Sequence, residues 1–376
     1  MIDADQVARD QSHMDRALAL ALGGWGQVSP NPLVGAVLVA GGRVIGEGFH
    51  SHFGADHAEV VAMREGRGES SGATLYVTLE PCSHHGKTPP CTEAILGAGV
   101  GRVVYACSDP DHRAAGGGSR LLEAGVEVVR GVRAMESARL NESFIWQRLG
   151  QGPWVSLKLG LSLDGRIAAR PGVRTDITGP ETAEYVHRMR AAHDAILVGG
   201  LTACVDDPLL TVRLAPSPRV PPTRVVLDPN LRLPEDGRLV GSVDEAPLLV
   251  VCREGASAER REQLEKRGAE VLSLTGDRKG LALDAVLRDL ADRGLRSVMV
   301  EGGGRLASAL LAGGHVRKQY LIYAPVVLGP DGVPSMGADG VMEIRDWSVV
   351  RRESLGSDTL LELEDRRARD ALREVA

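Results

Sequence analysis

Apolar positions along this chain switch repeatedly between helical spacing and strand alternation. SHMDRALALAL (12–22) has the helical spacing and stops at Gly23-Gly24. LVGAVLVA, a Gly-Gly pair and RVIGEGF then predict a β-hairpin, two apolar runs joined by residues that tolerate a tight turn. His57 to Arg64 predicts a helix, ATLYVTL (73–79) a strand and Thr92 to Leu96 a short helix. RVVYAC (102–107) and VEVVRGV (126–132) predict two more strands with a helix between them. Arg133 to Arg148 is charged and amphipathic, and it runs into Gly150-Gln151-Gly152-Pro153. That breaker cluster sets the expected domain boundary, giving residues 1–150 and 151–376.

The second half opens on WVSLKLGLSLDG, in which Val155, Leu157, Leu159 and Leu161 alternate with Ser156, Lys158, Gly160 and Ser162. The alternation places Lys158 on the polar face of a strand. DAILVGG (194–200), TRVVLD (223–228), PLLVVC (247–252) and RSVMV (296–300) continue as strands between helices. APSPRVPP (215–222) reads as a surface connection, and EDRRARDALREVA as a charged helix with a solvated face. Strands alternating with helices predict an α/β fold with some parallel pairing in both halves.

Composition narrows the function. A length of 376 residues suits two domains, and 44 Lys+Arg against 50 Asp+Glu give a formal charge of −6. An acidic balance with 3% aromatic residues argues against basic grooves and stacking platforms, so nucleic acid is not an expected partner. Small phosphorylated ligands need only a local basic patch. The uncharged stretch 17–42 carries Gly23, Gly24, Gly26, Pro30 and Pro32, so it is not a membrane-spanning helix. Five scattered cysteines, with an acidic, polar start, fit a reducing, cytoplasmic setting. Cys107, Cys204 and Cys252 are expected to be inert core thiols.

The strongest chemical signal is His57-Ala58-Glu59, then Pro81-Cys82, then Cys91. One imidazole and two thiolates make three ligands of a tetrahedral Zn²⁺ site whose fourth position is open to water. Glu59, two residues from His57 at a helix start, is placed to move a proton from that water to a departing amine. Zinc deaminases use this order of residues, with two residues between the cysteines. Here eight intervene, residues 83–90, and His84 and His85 among them are competing ligands. The plainer alternative is a pair of buried cysteines beside an unrelated histidine.

TLEPCSHHGKTPPC, with HAE upstream and SPNPLVGAVLV before it, resembles the bifunctional deaminase–reductase of riboflavin biosynthesis. KLGLSLDGRIA, RMRAAHDAILVGG, DDPLLTVR and VEGGG follow in the family's order, so the resemblance spans about residues 12–363. It implies a cytidine-deaminase-like zinc domain followed by a dihydrofolate-reductase-like domain that uses NADPH. It also implies hydrolysis of the 2-amino group of a diaminopyrimidinone ribosylamine 5′-phosphate, then reduction of the ribosyl to a ribityl chain. By the same resemblance His57, Cys82 and Cys91 hold zinc, Glu59 shuttles the proton and Asn31 lies in the pyrimidine pocket. Leu161, Thr202, Asp206, Gly303, Gly304 and Arg305 match cofactor positions. Arg190, Leu210, Arg213 and Glu301 match substrate positions, and Lys158 is a further candidate there. The glycines of Val300-Glu301-Gly302-Gly303-Gly304, between a strand and a helix, suit a pyrophosphate, and the arginines suit a sugar phosphate. A homo-oligomer formed through the reductase half is also implied.

The chain departs from the family pattern at three places. Asp109-Pro110-Asp111-His112 stands where an Asn is usual at 111, which puts an acceptor-only carboxylate near a phosphorylated ligand unless His112 or Arg113 offsets it. Arg174 replaces a small serine near the substrate, Asp176 replaces a tryptophan that would pack against the cofactor, and Leu201 fills a position that is often small. The alternative to the full enzyme is therefore a deaminase-active paralogue whose second half is weak, retargeted or only a binding or oligomerisation module.

Overall fold

The structure, a computed structural model, describes residues 4–84, 89–111, 113–277, 280–336 and 346–376. The chain divides into two compact units, Met1–Gln151 joined by Arg369–Ala376, and Gly152–Ala368. The last eight residues thus differ from the expected assignment of 151–376 to one domain. The charged tail hides a row at helical spacing: Ala368, Ala371, Leu372 and Val375 of the helix Arg366–Val375 are buried. Leu372 and Val375 complete an apolar cluster with Leu79, Cys107, Ala138 and Ile145. The Val375 carbonyl accepts the Ser108 N–H at 2.7 Å, so this helix is not the solvated element its charges suggest.

The first unit is built on five strands in the spatial order Arg43–Phe49, Gly35–Ala40, Thr74–Leu79, Arg102–Cys107 and Glu127–Arg130. The expected hairpin and its neighbour pair antiparallel, and the last three strands pair parallel. Apolar clusters lie on both faces, one around Leu38, Leu75, Val77, Ile95 and Val103, the other around Met14, Val37, Tyr76 and Val104. The N-terminal helix runs Ala4–Ala21, beginning well before the predicted start at residue 12. Its polar first turns are tied down by Asp10, which is buried and accepts from Arg102 Nη1 and Nη2 at 2.9 and 2.8 Å and from the Tyr76 hydroxyl at 2.8 Å. The stretch predicted from 133 to 148 is two helices, Ala134–Leu140 and Glu142–Arg148. They part at Asn141, whose amide takes the Leu33 N–H at 2.7 Å and donates to the Leu33 carbonyl at 2.9 Å. That clamp fixes the chain just past Asn31.

The second unit holds a nine-stranded sheet, in the order Glu270–Leu274, Leu248–Arg253, Thr223–Leu227, Ala195–Gly199, Ser297–Glu301, Trp154–Leu161, Lys318–Tyr323, Asp358–Asp365 and Trp347–Leu355. Pairing is parallel through the first seven and antiparallel at the last two. Both faces carry apolar cores. The strand Trp154–Leu161 is largely covered on both sides, with Lys158 and Gly160 only partly accessible. Ser156 is fully buried and accepts from the Trp154 indole N–H at 3.1 Å, with the His193 ring also at 3.1 Å. Its polar alternation marks a buried polar layer, as expected of a sheet covered on both sides. No helix among the described residues is long and apolar enough to cross a membrane.

Candidate active sites

In the first unit the helix Ala58–Glu65 starts with His57 as its N-cap, and Cys91 opens the helix Cys91–Gly97. These two helix starts and the end of the strand Thr74–Leu79 converge. The ligand atoms of His57, Cys82 and Cys91 all lie within 4.8 Å of one another. His57 Nδ1 is 3.1 Å from Cys91 Sγ and 3.6 Å from Cys82 Sγ, and the Cys91 N–H donates to Cys82 Sγ at 3.3 Å. Hydrogen bonding from the Cys91 thiol draws Cys82 down to about 4 against the effect of burial. One imidazole and two sulfurs form a donor set that fits Zn²⁺ with a fourth position to spare. His84 is exposed and is not part of this cluster, while His85 and His112 lie outside the described residues.

A cavity of about 350 Å³ opens over the cluster, lined by Asn31, His50, His57, Glu59, Glu80, Cys82 and, farther along, Asp109, Asp111, Arg113, Phe144 and Arg148. Glu59 is 4% exposed, and burial raises its carboxyl above the ordinary range. Asn31 donates through Nδ2 to His50 Nε2 at 3.0 Å, and His50 Nδ1 donates to the Asp56 carbonyl at 3.1 Å. This chain of bonds orients Asn31 toward the cavity. Glu80 accepts N–H bonds from Gly116, Gly118 and Asp109. Gly117 packs so closely on Pro81, beside Cys82, that a Cβ there would lie 1.7 Å from the Pro81 carbonyl oxygen.

Sequence reasoning missed His50, Glu80 and Arg148. The only local sign for Glu80 was its place directly before Pro81-Cys82, and nothing local marked the other two. Asp111, the carboxylate expected to repel a phosphate, is offset by Arg113 at 2.9 Å and Arg148 at 3.3 Å. Cys107 and Cys252 are buried as expected, and burial pushes the Cys107 thiol up to about 12. Cys204 is only half-buried, because its helix Gly200–Asp206 is partly exposed.

In the second unit Arg190, from the helix Pro180–Ala191, binds Glu301 through Nε at 2.5 Å and Nη2 at 2.9 Å, and the Thr211 carbonyl through Nη1 at 3.1 Å. Lys158 stands beside Glu301 in parallel register, and burial lowers its pKa. Arg213 Nη1 donates to Thr211 Oγ1 at 2.6 Å, and its backbone N–H donates to His187 Nδ1 at 2.9 Å. Burial and the charge of Arg190 lower the Arg213 pKa, so the cations crowd one another. An anion arriving there would relieve the repulsion.

Leu210 has φ +55° and a side chain in the apolar core, and the Leu161 side chain is in a core as well. The residue types expected at these two ligand positions thus serve packing, and only their backbone can face a ligand.

Gly302 has φ +146°, and Gly303 lies so near Thr202 that a Cβ would sit 3.2 Å from its hydroxyl, which accepts the Gly303 N–H. Gly304 starts the helix Gly304–Ala312, with Arg305 exposed on its first turn. A cradle without Cβ atoms at the start of a helix fits the pyrophosphate of a dinucleotide. Asp206, half-buried at the end of Gly200–Asp206, has its carboxyl raised by burial. Arg174 and Asp176 form an exposed ion pair at 3.1 Å, so the two departures from the family pattern neutralise each other.

Residues 7–107 match the family described as the cytidine and deoxycytidylate deaminase zinc-binding region, and residues 153–361 match the RibD C-terminal domain. Fold and site thus define a two-part α/β enzyme, a zinc-region deaminase followed by a reductase that uses a nicotinamide cofactor. The chain is 38% identical over 356 residues to riboflavin biosynthesis protein RibD of Aquifex aeolicus, covering 94% of this chain and 97% of that protein. It superimposes on Acinetobacter baumannii RibD, form 1, with a TM-score of 0.80 at 34% identity, covering 96% of this chain and 99% of that one. A Thermotoga maritima structure described as a diaminohydroxyphosphoribosylaminopyrimidine deaminase/5-amino-6-(5-phosphoribosylamino)uracil reductase gives 0.81 at 34% identity, with the same coverage. The chain belongs to the RibD family of riboflavin biosynthesis proteins. It is accordingly a bifunctional deaminase and reductase of riboflavin synthesis, and nothing favours the alternative of a second half that only binds.

Proposed function

We propose that the first unit deaminates a diaminopyrimidinone ribosylamine 5′-phosphate and that the second reduces the product's ribosyl group with NADPH. The observation that supports this most is the convergence of His57, Cys82 and Cys91 beside buried Glu59, at one end of a cavity large enough for a pyrimidine. His57, Cys82 and Cys91 hold zinc, which when bound supplies a Lewis acid able to lower the pKa of a water in its open position. Glu59, buried beside these donors, would accept a proton from the attacking water and pass it to the amino group that leaves as ammonia. Asn31, oriented by His50, hydrogen-bonds the edge of the pyrimidine. Burial of Glu59 keeps bulk water from competing for its proton.

In the second unit Arg190 and Arg213 hold the substrate phosphate, while Glu301 and Lys158 sit beside the sugar. Thr202, Asp206, Gly303, Gly304 and Arg305 hold the cofactor, with the backbone of Leu161 and Leu210 at the edges of the two subsites. The cofactor supplies the hydride, and the protein supplies position and charge. A homo-oligomer and a cytoplasmic setting belong to the same reading; the five free cysteines are consistent with the latter.

Two outcomes test the assignments. Cys82→Ala and Cys91→Ala each remove one of three donors, so both proteins are expected to lose stoichiometric zinc in metal analysis, and ammonia release with it. A variant that stays zinc-loaded would put His84 or His85 in the donor set. With the purified enzyme, NADPH is expected to be oxidised faster than NADH at equal subsaturating concentrations, and the reverse order would overturn the NADPH assignment.

A further inference from the structure

Residues 209–213 of the second unit are tied to the fold one after another. Arg224, fully buried, donates through Nη1 to the Leu209 carbonyl at 3.2 Å and also reaches the carbonyls of Leu239, Ser242 and Ala246. A guanidinium spent on carbonyls satisfies backbone groups that would otherwise be buried unpaired. Leu210 then turns the chain at φ +55° and sinks its side chain, 2% exposed, into the apolar core. Left-handed backbone is unusual for a leucine, and that burial maintains it. Thr211 follows, 5% exposed, on a backbone anchored by both devices.

Thr211 presents two acceptors to two cations. Its carbonyl accepts from Arg190 Nη1 at 3.1 Å, and its hydroxyl accepts from Arg213 Nη1 at 2.6 Å. Arg190 is held a second time, by Glu301 through Nε and Nη2. Arg213 has no such second hold on its side chain. Among the described residues no carboxylate pairs with it, and its guanidinium bonds only to Thr211, the carbonyl lying farther off at 3.5 Å. The Nε–Nη2 edge of Arg213 is thus left for a ligand, and such an edge matches an oxyanion bidentately. The Arg213 backbone N–H donates to His187 Nδ1 at 2.9 Å. Burial and the charges of Arg190 and Arg213 bring His187 down to about 4, which keeps the ring a neutral acceptor. His187 therefore fixes the base of Arg213, and the Thr211 hydroxyl fixes its tip.

We propose that Thr211 is a positioning residue of the reductase: its hydroxyl aims the Arg213 fork, and its carbonyl holds Arg190 at a set distance from that fork. The inference rests on the reductase reading given above, in which the two arginines hold the substrate phosphate. Thr211 acts through the arginines, so its loss falls on binding rather than on hydride transfer.

The test is reduction by the full chain, with NADPH, of the deaminated ribosylaminopyrimidine with and without its 5′-phosphate. The wild-type enzyme is expected to prefer the phosphorylated compound. Thr211→Val exchanges the hydroxyl for a methyl of similar volume and keeps the carbonyl. It is expected to raise KM for the phosphorylated compound ~10-fold, with kcat within ~3-fold, and to leave the other compound unaffected. Thr211→Ser keeps a hydroxyl and is expected to recover the wild-type KM. Arg213→Met raises KM at least as much, and adding Thr211→Val to it is expected to change nothing further. Should Thr211→Val fail to fold, Thr211→Ser against Thr211→Ala isolates the same hydroxyl. An effect of Arg213→Met with none from Thr211→Val overturns this inference alone. Equal losses on both compounds, or a loss that adds to that of Arg213→Met, also overturn it, being the marks of a merely structural residue. A wild-type enzyme indifferent to the phosphate overturns the assignment of the arginines, and this inference with it.

Discussion

Replacing Glu59 by glutamine is expected to lower ammonia release ~10²–10⁴-fold while zinc content stays stoichiometric. The two effects separate because Glu59 lies beside the donor set without belonging to it, since the converging ligand atoms are those of His57, Cys82 and Cys91. Glutamine has nearly the same volume, so the fully packed start of the helix Ala58–Glu65 is preserved. The amide can still hydrogen-bond, but it cannot accept a proton and return it. Metal analysis and an ammonia assay on the same preparation check the prediction. Activity within a few-fold of wild type would remove Glu59 from the proton path, and loss of zinc would make it a ligand.

The second large effect is expected from Arg190→Ala. Arg190 and Glu301 are 11% and 13% exposed at their side chains and are joined by two hydrogen bonds. Removing the arginine strands a buried carboxylate, and breaking such a pair costs about 3–5 kcal/mol. Lys158 next to Glu301 softens the loss, so the lower end of that range is expected as a fall in the melting point of the second unit. Against the effect of burial, Arg190 lowers the Glu301 pKa. The contribution is therefore complete above the ordinary carboxylate range and fades as pH falls through the folded value. The acid dependence of stability should flatten in the variant. Arg190→Met combined with Glu301→Leu replaces the pair by apolar side chains and is expected to regain most of the stability but not the reductase activity. Recovery of both would mean the pair is only structural.

The hairpin, the strands of both sheets and the His57–Glu59–Cys82–Cys91 set were legible because each depends on near neighbours in sequence or on one chemical pattern. What was hidden depends on distant partners. The helix Ala4–Ala21 begins early because Asp10 meets Arg102 and Tyr76, which a local reading of MIDADQVARD does not reveal. The C-terminal helix carries its apolar row among charges, and its partners Leu79 and Cys107 come from the other end of the chain. Lys158 lies on the polar face that the alternation predicts, opposite the apolar row Val155, Leu157, Leu159 and Leu161, but its place beside Glu301 depends on the pairing of two strands far apart in sequence. Leu161 and Leu210 came from family positions, where the backbone rather than the side chain can serve a ligand. His50 and Arg148 gave no sequence signal, since neither belongs to a motif and each meets its partner only through folding, Asn31 for one and Asp111 for the other.

The central claim is that one chain performs a hydrolytic deamination and a separate hydride transfer. The most direct measurement follows ammonia release and NADPH oxidation in one cuvette, using zinc-loaded protein and the diaminopyrimidinone ribosylamine 5′-phosphate. Ammonia is expected whether or not NADPH is present, and NADPH oxidation is expected once the deaminated product forms, with the Arg174–Asp176 pair tolerated. Ammonia without any NADPH oxidation would contradict the account, leaving a deaminase whose second unit does not reduce that product.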